Sequence, residues 1–228
     1  VRSTPERCSR RELDDVLVIF DWNGTVVADL DRAVAATNDM LTAYGRPLLT
    51  EHEFQERWRL PIASWLHGFG ISPDDLDDAE NCWNRAMAAS PAPVRPEAAG
   101  VLTELVELGA LLGVVSAAGA ATVTADLERG GLVGYFSTTA TAVADKASYL
   151  RGLRHLRPRA VYVGDTEYDL FSATAADYTG VAITGGYRSA DALGATGGVV
   201  LTSLSDLPGL LTVPARRLPR LPGAHPAG

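Results

Sequence analysis

The stretch Val16-Leu17-Val18-Ile19-Phe20 runs without a polar break into Asp21, and Asp21 leads through Trp22-Asn23 to Gly24-Thr25. Five consecutive apolar residues, several of them β-branched, read as a strand buried on both faces. Such strands belong to parallel sheets that carry helices on either side. In these sheets the ligand lies in the crevice beyond the carboxyl ends of the strands. Asp21 stands at that end. A carboxylate there can be a nucleophile, a metal ligand or both, or it can simply end the strand and cap the turn.

The rest of the chain repeats the strand. Apolar runs at 111–115, 134–138, 160–163, 181–183 and 199–201 alternate with helical segments at 96–108, 120–130, 146–155 and 168–177. That alternation means βαβ units and right-handed crossovers. The expected fold class is therefore α/β, a Rossmann-like parallel sheet with helices on both faces.

Residues 29–91 break the rhythm. A helix from about Asp29 ends at Gly45, and Pro47 prevents its continuation. Thr50 followed three later by Glu53 is a capping box, and Ser72-Pro73-Asp74-Asp75 opens another helix. Pro91, Pro93 and Pro96 close the block. It reads as an all-helical cap inserted after strand one. The expected organisation is a flexible leader (1–14), a core (15–28 and 92–212), the cap (29–91) and a disordered tail (213–228).

Composition narrows the function. The formal charge of −8 argues against nucleic acid as the main partner, because phosphate backbones are bound by surplus Lys and Arg. No apolar run approaches the roughly 18 residues of a membrane helix, and the polar first residues lack the apolar core of a signal peptide. These features suggest a cytoplasmic protein with no membrane partner. Cys8 and Cys82 make no disulfide framework. The chain has 19 Arg but one Lys, Lys146. A compact point charge is what lysine offers and arginine does not.

Polar groups now stand at four strand ends or helix starts: Asp21 in DWNGT, Ser116 in VVSAAG, Lys146 in DK, and Asp165 with Asp169 in GDTEYD. In order and context these motifs resemble the haloacid dehalogenase superfamily of phosphohydrolases, and the helical insert sits where that superfamily places a cap of the phosphoglycolate phosphatase type. The resemblance spans about 16–205. It implies a phosphatase acting on a small phosphorylated metabolite, as a monomer or homodimer, with Mg²⁺ as cofactor. Asp21 would attack phosphorus. Asp21, Asn23 through its carbonyl, and Asp165 would hold the metal, with Asp169 supporting that shell or pairing with Lys146. Lys146, Ser116, Ala117 and the Gly24-Thr25 turn would bind the phosphate. In the cap, Arg57 and Arg59 would meet a carboxylate or second phosphate.

The resemblance fails at Asn23, where most of these phosphatases carry a second Asp that protonates the leaving group and then activates water. An amide cannot carry a proton near neutral pH, and such help is worth about 10²- to 10⁴-fold. Three explanations stand. The substrate has a good leaving group, or the substrate or a cap residue (His67, Glu53 or Glu56) supplies the proton, or the protein chiefly binds a phosphorylated ligand as a regulatory module. Dehalogenase chemistry disagrees with Asp165 and Asp169, a phosphonoacetaldehyde hydrolase needs a cap lysine that this chain lacks, and a phosphomutase generally also uses the second Asp.

Overall fold

β1 (Val16–Phe20) is completely buried and pairs in parallel with β2 (Leu111–Val115) on one side and β4 (Arg159–Gly164) on the other. The computed structural model describes residues 11–213. With β3 (Thr138–Ala140), β5 (Thr179–Ile183) and β6 (Val199–Leu201) the sheet has six parallel strands in the order β3-β2-β1-β4-β5-β6. The order reverses direction between β1 and β4, which opens a crevice at their carboxyl ends. Asp21 and Asp165 leave those two strands side by side.

Alternation along β1 builds the two layers. Val16, Val18 and Phe20 pack with Val101 and Leu105 of α5 (Ala98–Glu107), Val123 of α6 (Ala120–Arg129) and Leu211 of the last helix. Leu17 and Ile19 pack on the other face with Leu150 of α7 (Lys146–Leu153) and Ala173 of α8 (Glu167–Ala175). α9 (Ala190–Ala195) and α10 (Leu207–Thr212) complete the helices.

Between β1 and α5 lie α1 (Leu30–Ala43), α2 (Glu51–Arg57), α3 (Ile62–His67) and α4 (Leu76–Ala89), which form the cap and have a hydrophobic core of their own. Thr50 and Glu53 make the expected reciprocal capping box at α2. The cap core is aromatic: Trp58 stacks on Phe54 at 5.2 Å and on Trp83 at 5.8 Å between ring centroids, and Trp65 packs edge-on at 4.6 Å. The chain enters and leaves the cap side by side, through Val27 bridged to Val94. Arg32 of α1 is buried and pairs with both Asp29 and Asp126 of α6, at 2.9 and 2.8 Å. This triad ties the first cap helix to the sheet domain.

Two sequence expectations change. Residues 11–14 are not a loose leader: Leu13 is fully buried, and its N–H donates to the Leu108 carbonyl at 2.8 Å. The remaining leader, 1–10, and the tail from 214 lie outside the described residues. The third strand starts later than 134. Val133–Tyr135 form a 3₁₀ turn that brings Phe136 edge-on to Phe20 and Trp22, and pairing with β2 begins only at Thr138.

Removing Arg32 takes a buried cation from both carboxylates, while Arg129 still pairs with Asp126 at 2.6 Å. Asp29 is then the carboxylate without a cation, and breaking such a buried pair costs about 3 kcal/mol. Arg32→Leu is expected to lower unfolding stability by about that amount in a denaturant titration. An unchanged midpoint would show that the triad does not hold the cap to the core.

Candidate active site

Lys146 begins α7 and is fully buried. Its ammonium lies 2.8 Å from Asp21 Oδ2 and 2.7 Å from Asp169 Oδ1. Burial works against the charged amine, but the two carboxylates outweigh it and raise its pKa above the usual lysine range. The same burial raises the pKa of Asp21, opposed by Lys146 and by a hydrogen bond from Ser116. The second Asp21 oxygen accepts the Trp22 N–H at 2.7 Å. Asp169 is held from both sides: Oδ1 meets Lys146 and the Tyr162 hydroxyl, and Oδ2 accepts from the N–H and hydroxyl of Thr166. Its geometry fits a positioning role for the lysine.

Asp165, just past β4, accepts the Thr25 hydroxyl at 3.0 Å and the Tyr187 N–H at 2.6 Å. Burial, then repulsion from Asp169 and Asp21, lifts its pKa well above the usual carboxylate range. The space around it is tight. Gly24 has φ +73°, and a Cβ there or at Gly186 would collide with the Asp165 carboxylate. One oxygen from each of Asp21, Asp165 and Asp169 falls within 4.8 Å of the others. Three buried carboxylates against one ammonium leave uncompensated negative charge, and that donor set suits a hard divalent cation bound by oxygen.

The Gly24-Thr25 turn has a different task from the one expected. The Gly24 N–H donates to Asp29 Oδ1 at 2.7 Å, so it is not free for a phosphate oxygen. The Thr25 hydroxyl is committed to Asp165. The turn orients acids, and Arg95 clamps it from behind through the carbonyls of Gly24 and Thr25, each at 2.7 Å. Ser116 and Ala117 do line the cavity above Asp21, and the Ala117 N–H has no acceptor among the described residues.

Asn23 is buried, and its amide nitrogen donates to Asp29 Oδ2. Asp29 also accepts from Arg32 and from the Tyr187 hydroxyl at 3.0 Å. A carboxylate only accepts, so Asp29 fixes which way the amide points. Asn23 Oδ1 is left buried with no partner among the described residues, in the wall of the cavity. It can accept a hydrogen bond from a hydroxyl or a water, but it cannot take the proton.

The cavity has a volume of about 320 Å³, with Asp21, Lys146 and Asp165 at its base and Trp58, Glu80 and Trp83 contributed by the cap. The cap residues singled out from sequence are elsewhere. Arg57 is exposed, donates to the Gly68 carbonyl and lies 4.0 Å over the Phe69 ring. Arg59 is exposed, bonds the carbonyls of Glu56 and Trp58, and borders a separate groove with Glu167 and Arg188. Glu53 is occupied by its capping box, Glu56 is exposed, and His67 is exposed beside the Ile71 carbonyl. None of the five lines the cavity. The cap carboxyl that does is Glu80. Asp29, Arg95 and Glu80 carry no sequence signal as site residues. Tyr187 does, in the Gly185-Gly186-Tyr187 loop after β5, which resembles a loop of the haloacid dehalogenase superfamily although no role follows from it.

Asn23→Asp sets a carboxylate against Asp29 and removes the donor between them. The variant is expected to lose on the order of 1–3 kcal/mol, measured by denaturant unfolding at pH 8. The facing pair retains a proton better folded than unfolded, so its folded pKa is raised. The penalty therefore shrinks as the pH falls toward 4. Adding Asp29→Asn should recover only part of the loss, since it also takes a carboxylate from Arg32. A single variant as stable as wild type at pH 8 would show that Asp29 does not select the amide.

The haloacid dehalogenase-like hydrolase family profile matches residues 18–183. The phosphoglycolate phosphatase of Synechococcus elongatus is 27% identical over 184 residues, covering 77% of this chain and 87% of the relative. Among solved structures, CbbY from Rhodobacter sphaeroides, in complex with phosphate, superposes with a TM-score of 0.70 at 21% identity, covering 86% of this chain and 96% of that one. A haloacid dehalogenase-like family hydrolase from Streptococcus pneumoniae gives 0.73 at 18% identity, covering 87% and 98%. With the motif residues gathered at one crevice and the match running from β1 through β5, the chain belongs to the haloacid dehalogenase-like hydrolase family.

Proposed function

We propose that the protein is a Mg²⁺-dependent phosphatase that cleaves a small-molecule phosphate through Asp21. The observation that carries this reading is Asp21 at the mouth of β1, fixed by Lys146 and facing a cavity whose base it shares with Asp165. Phosphatase activity in the Synechococcus relative agrees with it. Asp21, Asp165 and the Asn23 backbone carbonyl would hold the metal. Bound Mg²⁺ would offset phosphate charge and orient the group for in-line attack.

The chain's own groups do the rest. An Asp21 oxygen attacks phosphorus, the bond from phosphorus to the leaving oxygen breaks, and an aspartyl phosphate forms. Lys146 keeps Asp21 ionised despite its burial and balances charge on the transferring group. Ser116 and the Ala117 N–H are placed to receive phosphate oxygens. Water then hydrolyses the acyl phosphate. Asn23 Oδ1 can orient the attacking water by accepting a hydrogen bond, but moves no proton. The reaction therefore favours substrates whose leaving group departs without acid help.

With Mg²⁺, purified protein is expected to hydrolyse acetyl phosphate and p-nitrophenyl phosphate. Asp21→Asn should reduce turnover to background, a loss of at least about 10³-fold for a nucleophile. Saturable phosphate binding without turnover of any ester would instead assign the site to phospho-ligand binding.

Metal binding has its own signature. Asp165 has a raised folded pKa, so its contribution to metal-free stability is full below the unfolded value near 3.9 and is lost as pH rises through the folded value. Mg²⁺ competes with that proton. The rise in Tm on adding Mg²⁺ should be larger at pH 8 than at pH 5. An equal rise at both, or none, would contradict a metal held by Asp165.

A further inference from the structure

The cap side of the cavity has a composition that selects a leaving group. Glu80, in the middle of α4, is partly buried and lines the cavity. Among the described residues its carboxylate takes part in no hydrogen bond and no ion pair. Burial, and then the nearby Asp77, push its pKa up, the mark of a charge lacking a counterpart. Asn84, one turn further along α4, also lines the cavity.

Around these polar groups the wall is aromatic. Trp58 and Trp83 stand nearly parallel at 5.8 Å between centroids, with an interplanar angle of 27°, and Tyr187 meets Trp58 edge-on at 5.0 Å. The polar tips of two of these rings are already used. The Trp83 N–H donates to Thr37 at 3.1 Å, and the Tyr187 hydroxyl donates to Asp29.

The cations are in the wrong place for an anionic leaving group. Among the described residues that line the cavity, the one cation is Lys146, confined at the base between two carboxylates. Arg57 and Arg59 lie outside it. A substrate with a carboxylate or a second phosphate would meet Glu80 and find no cation under the cap. An ammonium group would meet a carboxylate without a partner, in a wall that Trp58, Trp83 and Tyr187 also line.

We propose, resting on the phosphatase reading, that the substrate is a phosphate monoester of an amino alcohol whose ammonium group is received by Glu80, beside the Trp58–Trp83–Tyr187 wall. The same chemistry eases the demand that Asn23 cannot meet. An ammonium close to the ester oxygen withdraws electrons and makes that oxygen a better leaving group than a plain alkoxide.

The test uses full-length protein with Mg²⁺ and four probes: O-phosphoethanolamine, phosphocholine, ethyl phosphate and phosphoglycolate. Acetyl phosphate serves as the separate control for phosphatase chemistry. The amine esters should exceed ethyl phosphate in kcat/KM by about tenfold or more, and phosphoglycolate should be poorest. Glu80→Gln should shrink the ratio of amine to neutral ester by about tenfold, the range for a hydrogen-bonded charge partner. The ratio is internal to each preparation, so partial misfolding lowers both terms alike. Equal or better use of ethyl phosphate or phosphoglycolate, or a ratio that Glu80→Gln leaves unmoved, would overturn the proposal. Failure to turn over acetyl phosphate would count against the phosphatase reading alone. Calorimetric binding of the same four esters to Asp21→Asn then reads the preference without turnover, and a missing amine preference there would also overturn it.

Discussion

One buried ammonium holds the active site together. Lys146 bridges Asp21, which follows β1, and Asp169, which lies in α8. Without it, burial would favour the neutral form of Asp21 and remove the proposed nucleophile. The surrounding structure serves that bridge. Thr166 and Tyr162 fix Asp169, and α7 presents the lysine from its first residue. Arginine is the general cation of this chain and bridges a buried carboxylate pair of its own, Asp29 and Asp126 through Arg32. At α7 the bridge is instead a compact ammonium, a point charge rather than a planar fork.

The departure at Asn23 is a matched pair with Asp29. Asp29 accepts from the Asn23 amide, the Gly24 N–H, Arg32 and the Tyr187 hydroxyl. It joins the Gly24-Thr25 turn, the first cap helix and the loop after β5 in one network, so the amide is fixed by the architecture. That network also couples cap and core. The Tyr187 backbone orients Asp165 while its ring packs against Phe54 and Trp58 in the cap. Position of the cap and orientation of the Asp165 carboxylate therefore depend on the same residue.

Much of this was legible in the sequence, because much of it is local. β1 and Asp21 follow from an apolar run ending in an acid, and Asp165 with Asp169 from the same pattern at β4 with a helix behind it. The rest depends on contacts between distant segments. Asp29 meets Tyr187 across 158 positions, and Arg32 meets Asp126 across 94. Sequence reasoning assigned Arg57 and Arg59 to the substrate because they flank an aromatic turn. Their side chains instead satisfy nearby carbonyls, and Trp58 between them turns inward to pack and to line the cavity. Glu80 had no local signal, since it is one of several acids on a polar helix and only cap packing turns it inward.

The central claim is an aspartyl nucleophile working without a proton carrier at position 23. The most direct measurement is the dependence of kcat/KM on leaving-group pKa over a series of aryl phosphates of matched size, with Mg²⁺ at neutral pH. With no acid at the leaving oxygen, negative charge builds up there, and log kcat/KM should fall steeply as the leaving-group pKa rises. A flat dependence would mean that the leaving oxygen is protonated in the transition state, and it would contradict the role assigned to Asn23.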